Sequence, residues 1–134
     1  MVAYSFQKQF AAPILSGRKS HTIRAPRKRH ARPGEALQLY TGMRTKVCRL
    51  VARATCEAVV PVTISFRGIG ESTLGDSVAL DGRTIADAQG LDAFAQSDGF
   101  TGWREMRDFW EEQHGPLAQF HGVLIRWRDM VPGL

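Results

Sequence analysis

Apolar residues recur along this chain with two different periods, and the changes of period mark out its elements. From Ala36 to Thr41, Leu37, Leu39 and Thr41 alternate with Gln38 and Tyr40, the two-residue period of a half-buried strand. Gly42 and Met43 predict a turn, and the apolar-rich run from Lys46 to Val60 predicts the second strand of a hairpin. Val62, Ile64 and Phe66 alternate in the same way until Gly68, Gly70 and Gly75 interrupt them, so irregular structure is expected from Arg67 to Gly75. Near the C-terminus Val123, Ile125 and Trp127 alternate with Leu124 and Arg126, which predicts a closing strand from Phe120 to Trp127.

The other period is helical. Phe10 to Ser16 combines Ala and Leu with Pro13 in the first turn, where its missing N–H is harmless, and Gly17 stands where a left-handed cap would end the helix. Thr84-x-x-Asp87 predicts a cap for a helix carrying Ile85, Ala88, Leu91 and Ala95. Thr101 is placed to cap a further helix in which Trp103, Met106, Phe109 and Trp110 recur at three- and four-residue spacing, with Gly115 to end it. That aromatic stripe is read as core, the usual meaning of helical periodicity. Asp81-Gly82 is a strong tight-turn signal.

Strands that dominate both ends and the middle, with helices early and late, do not suit alternating βαβ units. Gly68-Ile69-Gly70 has neither the strand-turn-helix context nor the third glycine of a dinucleotide site. The pattern predicts a mainly β, α+β domain: a small mixed or antiparallel β-barrel with a few packed helices. At 134 residues, residues 1–134 form one domain that can bury a core without metal or disulfide staples. The longest uncharged central stretch, Ala58 to Phe66, is too short to span a bilayer. The first residues lack the apolar run of a secretory signal, so a cytoplasmic protein is expected.

Cys48 and Cys56 are then expected to be reduced, and their even separation places both on one face of an uninterrupted strand as small buried hydrophobes. No Cys-x2-Cys occurs, and His21, His30, His114 and His121 form no ligand cluster with the cysteines, so neither metal nor cofactor is expected.

Charge changes the picture more than composition does. The net charge of +5 hides an asymmetry: residues 1–60 hold twelve Lys or Arg against Glu35 and Glu57, whereas the remainder holds six basic and eleven acidic residues. Seven of the fifteen residues from Arg18 to Arg32 are basic and none is acidic. A basic excess confined to one half favours a polyanion-binding face, RNA or DNA above all. Pro26 and Pro33 argue that Ala25 to Gly34 is an exposed connection, so Arg27, Lys28, Arg29 and Arg32 would form an electrostatic rim.

Inside the basic run lies Gly17-Arg18-Lys19-Ser20-His21-Thr22-Ile23-Arg24. It resembles the G-x-K-x-x-T-x-R signature of ASCH domains, relatives of the PUA RNA-binding fold. Ile14-Leu15-Ser16 before it, Pro33 to Leu37 after it, Leu39 to Lys46, Asp98-Gly99-Phe100 and Gly122 to Trp127 extend the resemblance over nearly the whole chain, in the manner of single-domain bacterial members. The resemblance implies a barrel with a cleft lined by the signature strand, and RNA-linked roles. In one branch it implies hydrolysis of the acetyl amide of N4-acetylcytidine, and in another, ribonuclease activity. For the amidohydrolase branch it carries over Lys19, Thr22 and Asp98 as catalytic residues, Asp98 standing where that branch has glutamate, one methylene longer.

The residues themselves allow this chemistry. Positive neighbours and burial both favour the neutral amine of Lys19, the form that acts as nucleophile or base, whereas a nearby Asp98 would oppose it. Thr22 can hydrogen-bond a carbonyl or a water, and Asp98 can orient the lysine or shuttle a proton. Residues 19 and 22 point to opposite faces of a regular strand, so Lys19 is expected in the turn after Gly17, with Thr22 and Arg24 sharing a face. Tyr40, Arg44 and Lys46 flank the Gly42 turn and offer an aromatic face beside positive charge, as single-stranded RNA requires. The expected RNA-binding set is therefore Arg18, Arg24, Arg27, Lys28, Arg29, Tyr40, Arg44 and Lys46. A metal-independent ribonuclease would further need a base and an acid, for which Tyr40, Lys46, His21 and His121 are open choices. The leading expectation is a domain that binds single-stranded RNA or a nucleoside; the alternative is one of the two hydrolases. The acidic helix face of Glu105, Asp108, Glu111 and Glu112 leaves a protein-interaction module as a third class.

Overall fold

The structure, a computed structural model, describes residues 1–133 apart from 69 and 71. Ile69 of the Gly68-Ile69-Gly70 stretch and part of the expected irregular segment thus lie outside the described residues. Among the described residues seven strands form one mixed sheet, with three α-helices packed against it.

The spine is β4 (Arg49–Ser65), a single 17-residue strand that joins the two separately predicted runs. The terminal strand β7 (Gln119–Pro132) runs antiparallel along one edge of it, from Ala52 opposite Pro132 to Ser65 opposite Gln119, five residues beyond the expected end. Along the other edge β3 (Ala36–Thr41) pairs with residues 49–55, and β5 (Ser77–Leu80) pairs with residues 62–65. Pro61 falls between these two sets of partners, where a missing N–H costs least. The N-terminal strand β1 (Val2–Phe6), which the sequence pattern does not single out, lies parallel to β3, and β6 (Arg83–Ile85) pairs with β5 across Asp81-Gly82. Both turn residues have positive φ, 48° and 76°, as a two-residue turn that matches the right-handed twist of its strands requires. The signature strand β2 (His21–Arg24) pairs with β7.

The expected barrel does not close. Among the described residues β1 pairs only with β3 and β2 only with β7, so the sheet remains open with these strands at its edges. The Arg24 side chain donates to the Ser5 carbonyl at 2.7 Å, a side-chain bond between two strands that share no ladder.

The first helix, α1 (Ala11–Ser16), ends as expected at Gly17, whose φ of 83° is accessible at little cost only to glycine. The second, α2 (Ala88–Ser97), is capped by Asp87, whose carboxylate accepts from the Gly90 N–H at 2.9 Å. Thr84 is instead a β6 residue: the hairpin through Asp81-Gly82 uses its backbone before a helix can begin. The third, α3 (Trp103–His114), has its N-cap one residue after the expected position, at Gly102, with Thr101 hydrogen-bonded to Glu105. Its Trp103, Met106 and Trp110 are buried, as the spacing predicts. Cys56 is buried in β4, but Cys48 is exposed in the turn before it, so the two cysteines do not share a strand face. No helix among the described residues is long and apolar enough to cross a membrane.

Candidate functional site

The gap between the edges of β1 and β2 opens into a cavity of about 320 Å³. Lys19, Thr22, Arg24 and Asp98 line its polar side, and Phe6, Phe10, Phe100, Phe109, Trp110 and Phe120 its apolar side. The three residues assigned to catalysis from sequence therefore meet at one place.

Local structure explains the convergence. Gly17 turns the chain out of α1, and the Lys19 N–H donates to the Pro13 carbonyl at 3.0 Å, so Lys19 lies in the turn and not in the strand, as expected. The Ser20 N–H then reaches the Ser97 carbonyl at the end of α2, and the Trp127 N–H reaches Ser20, which seats β2 between α2 and β7. Asp98 is the C-cap of α2, its own N–H satisfied by Phe94 and Ala95. Lys19 Nζ donates to the Asp98 carbonyl at 2.6 Å and to its carboxylate Oδ1 at 3.0 Å, so the ammonium also occupies the electronegative end of the helix. The ammonium further sits 5.0 Å from the Phe10 ring centre and 5.5 Å from that of Phe6.

The ionisation of this pair follows from its burial. Lys19 and Asp98 are 3% and 5% exposed. Burial pulls the Lys19 pKa below its ordinary value of 10.5, against the pull of the Asp98 charge, and the Arg24 charge lowers it further. For Asp98 burial acts upward, but the Lys19 charge and the neighbouring His21 outweigh it and hold the carboxyl below its ordinary value of 3.8. At neutral pH Asp98 is a carboxylate, and Lys19 holds its proton less firmly than an exposed lysine does.

Arg24 organises the opposite wall. Its Nε donates to Thr22 Oγ1 at 3.0 Å, and its guanidinium stacks 4.9 Å from the Phe6 ring centre and 5.2 Å from that of Tyr4. One lone pair of the Thr22 hydroxyl is thereby used, leaving its proton to donate.

The remaining predicted residues lie elsewhere. Arg18 is exposed and donates to the Gly99 carbonyl at 3.2 Å. Arg27, Lys28 and Arg29 are exposed on the loop that follows β2, next to Ala25, which lines the cavity. That loop is tied down: the Tyr4 hydroxyl bonds His30 Nδ1 at 2.9 Å and accepts from the Ala31 N–H at 3.1 Å. Arg29 is paired with Glu35, whose pKa falls to about 2 chiefly through that hydrogen bond. Tyr40, Arg44 and Lys46 do not line the cavity. Alternation along β3 buries Leu39 and Thr41 and turns Tyr40 to the other face, where its hydroxyl donates to Gln38 at 3.1 Å; Arg44 and Lys46 are exposed in the turn before β4.

Two contributors are not singled out by the sequence. The spacing of the α3 stripe indicates core alone, yet Phe109 and Trp110 also form cavity wall. His21 is, in sequence, one of several open choices; in the structure it is 4% exposed, with Nε2 3.2 Å from Asp98 Oδ1. Its position two residues after Lys19 is the available signal, but only the placement of α2 supplies the shared carboxylate.

No family model and no curated protein matches this chain. Among solved structures, the crystal structure of ASCH from Zymomonas mobilis superposes with a TM-score of 0.54 at 18% identity, over 97% of this chain and 68% of that one. Two point mutants of the same protein give TM-scores of 0.53 at 18% and 19% identity, again over 97% of this chain. The fold is that of an ASCH domain. In this ASCH fold the signature residues Lys19, Thr22 and Arg24 all face the cavity between β1 and β2.

Proposed function

We propose that this ASCH domain takes a single nucleobase or nucleoside into the cavity between β1 and β2 and hydrolyses an acyl amide on it. The observation that carries this reading is the convergence of Lys19, Thr22 and Asp98 on an aromatic-walled cavity of about 320 Å³, a volume suited to one small ligand rather than a strand of RNA. Its aromatic walls offer stacking surfaces to a base.

In this reading the neutral form of Lys19 takes a proton from a water that attacks the acyl carbon. The Thr22 hydroxyl, made a better donor by the Arg24 bond to its oxygen, donates to the carbonyl oxygen as negative charge develops there. Lys19 passes its proton to the leaving nitrogen, the C–N bond breaks, and free amine and carboxylic acid result. Asp98 holds the amine in place through both of its hydrogen bonds. The shorter Asp98 side chain is not a defect in this arrangement, since its backbone carbonyl supplies the second contact.

The test is turnover of N4-acetylcytidine by the intact protein and by Lys19→Ala. The reading expects acetate release by the wild type and a loss of about 10²-fold or more in the variant. Equal rates, or no release by the wild type, overturn it.

A second reading, RNA binding, is favoured by the exposed Arg27, Lys28 and Arg29 on the loop whose first residue, Ala25, lines the cavity. The two are compatible, because a basic rim attracts the polyanion from which one base enters.

A further inference from the structure

One carboxylate oxygen lies between two bases. Asp98 Oδ1 has Lys19 Nζ at 3.0 Å and His21 Nε2 at 3.2 Å, and all three side chains are buried. The two bases approach it from different sides. Lys19 belongs to the cavity between β1 and β2, whereas His21 lines a separate groove of about 580 Å³ with Ser20, Arg83, Asp87 and Arg126. The imidazole is held by stacking on Phe94, ring centres 5.3 Å apart, and by its place in β2 opposite Arg126 of β7.

His21 Nε2 makes no hydrogen bond of good angle, even though Oδ1 is within reach. A nitrogen lone pair facing a carboxylate at that distance would be repelled, so Nε2 carries the proton. The result is a buried N–H close to a carboxylate oxygen that already accepts from Lys19, but poorly aligned with it. A buried donor without a well-formed bond is costly, so a better-aligned bond to Oδ1 is favourable whenever it becomes available.

We propose that His21 is a positioning residue that becomes the partner of the Asp98 carboxylate whenever Lys19 is neutral. The inference rests on the reading of Lys19 as the proton acceptor. Once Lys19 Nζ has lost its proton, it still donates hydrogen bonds, but Asp98 has lost its compensating charge, and a buried carboxylate without one is strongly disfavoured. The Nε2–H of His21 then turns onto Oδ1, and no other side chain need move. When Lys19 stays neutral, as after its replacement, His21 takes a second proton from water in the groove on its far side. The charged groups around the ring are Asp98 and Lys19 at the site, Arg126 on β7, and Arg83 and Asp87 across the groove. Of these only Lys19 gains and loses a proton in the proposed reaction, so its removal isolates the effect.

The experiment is a histidine nitrogen NMR titration of the full chain. In the wild type, His21 is expected to be the neutral tautomer with the proton on Nε2. In Lys19→Met its titration moves up by about one pH unit or more, and in Lys19→Met/Asp98→Asn that increase disappears. A wild-type proton on Nδ1, or a His21 titration unaltered by Lys19→Met, overturns the proposal. The wild-type tautomer decides the matter even where a variant fails to fold. Hydrolysis supplies a second arm: His21→Gln keeps an N–H near Oδ1 and retains kcat within a few-fold of wild type, whereas His21→Leu loses about tenfold or more in kcat with KM unchanged. Equal kcat in the two variants would count against the coupling. Absence of turnover in the wild type with an intact His21 shift fails the reading of the reaction and leaves the coupling standing, so the two failures are distinguishable.

Discussion

Lys19 Nζ bonds both the backbone carbonyl and the carboxylate of Asp98, so a turn residue closes the C-terminal end of α2 from 79 positions away in sequence. Cap, ion pair and candidate catalyst are one contact, and its perturbation should be felt in stability and in chemistry together.

Removing the charge on either side leaves the other buried without compensation. Asp98→Leu and Lys19→Met are each expected to destabilise the fold by about 3–5 kcal/mol, and the double variant by less than the sum. Urea unfolding of the four proteins at neutral pH measures the coupling. Additive losses would show that the pair is energetically independent.

The same pair gives the pH dependence a definite sign. The Asp98 pKa is depressed in the folded protein, so its stabilisation is complete above the ordinary 3.8 and is lost as pH falls through the folded value. The Lys19 pKa is also depressed, so the unfolded chain binds the extra proton between the folded value and 10.5, and stability rises with pH there. Asp98→Asn should flatten the acid limb and steepen the alkaline rise, because Lys19 loses the charge that held its proton. Thermal melts from pH 3 to 10, roughly the span of these ordinary values, read both limbs.

Gly99 leaves no room for a side chain. Its φ is 103°, and a Cβ would lie 3.0 Å from both Lys19 Cδ and Phe10 Cδ1. Gly99→Ala should cost about 1–3 kcal/mol through the backbone and displace Lys19 from Asp98. A melting temperature and a Lys19 reactivity equal to those of the wild type would refute this.

Thr22→Val keeps shape and removes the hydroxyl that accepts from Arg24 Nε. Loss of this part-buried bond should cost about 1–2 kcal/mol of stability, and hydrolysis should fall through kcat rather than KM.

At the rim, Arg29 is already committed to Glu35, whereas Arg27 packs 4.8 Å from the Tyr4 ring centre and Lys28 is exposed. Arg27→Ala with Lys28→Ala should reduce the salt slope of single-stranded RNA binding by about 1.4, close to 0.7 for each phosphate no longer neutralised, and Arg29→Ala should add little. Affinity measured at several salt concentrations separates these cases; a salt-independent complex would exclude the rim.

Local chemistry decided a large part of this protein in sequence. Alternation in Leu37-Gln38-Leu39-Tyr40-Thr41, the left-handed stop at Gly17, the Asp81-Gly82 hairpin turn and the three- and four-residue stripe of α3 each follow from the preferences of neighbouring residues, and each is present at or close to its expected place. Lys19 in the turn followed from the same arithmetic, since residues 19 and 22 cannot share a strand face. Boundaries moved where a partner outranked a local preference: Thr84 went to the β5–β6 hairpin, and β4 ran through Pro61 because β7 lies alongside it. The open sheet, the place of Tyr40 away from the cavity and the exposure of Cys48 were not legible, because period and composition cannot tell which edge of a strand finds a partner or which face borders a site. Nor could they show that the end of α2 meets the turn after α1. The resemblance supplied Lys19, Thr22 and Asp98 as candidate site residues, with Arg24 on the same short segment; burial against Phe6 and Phe10, the 3.0 Å contact between Lys19 and Asp98 and the His21 ring behind it came from tertiary structure alone. Ionisation depends on desolvation and on charges a few ångströms away, and those distances exist only once the chain has folded.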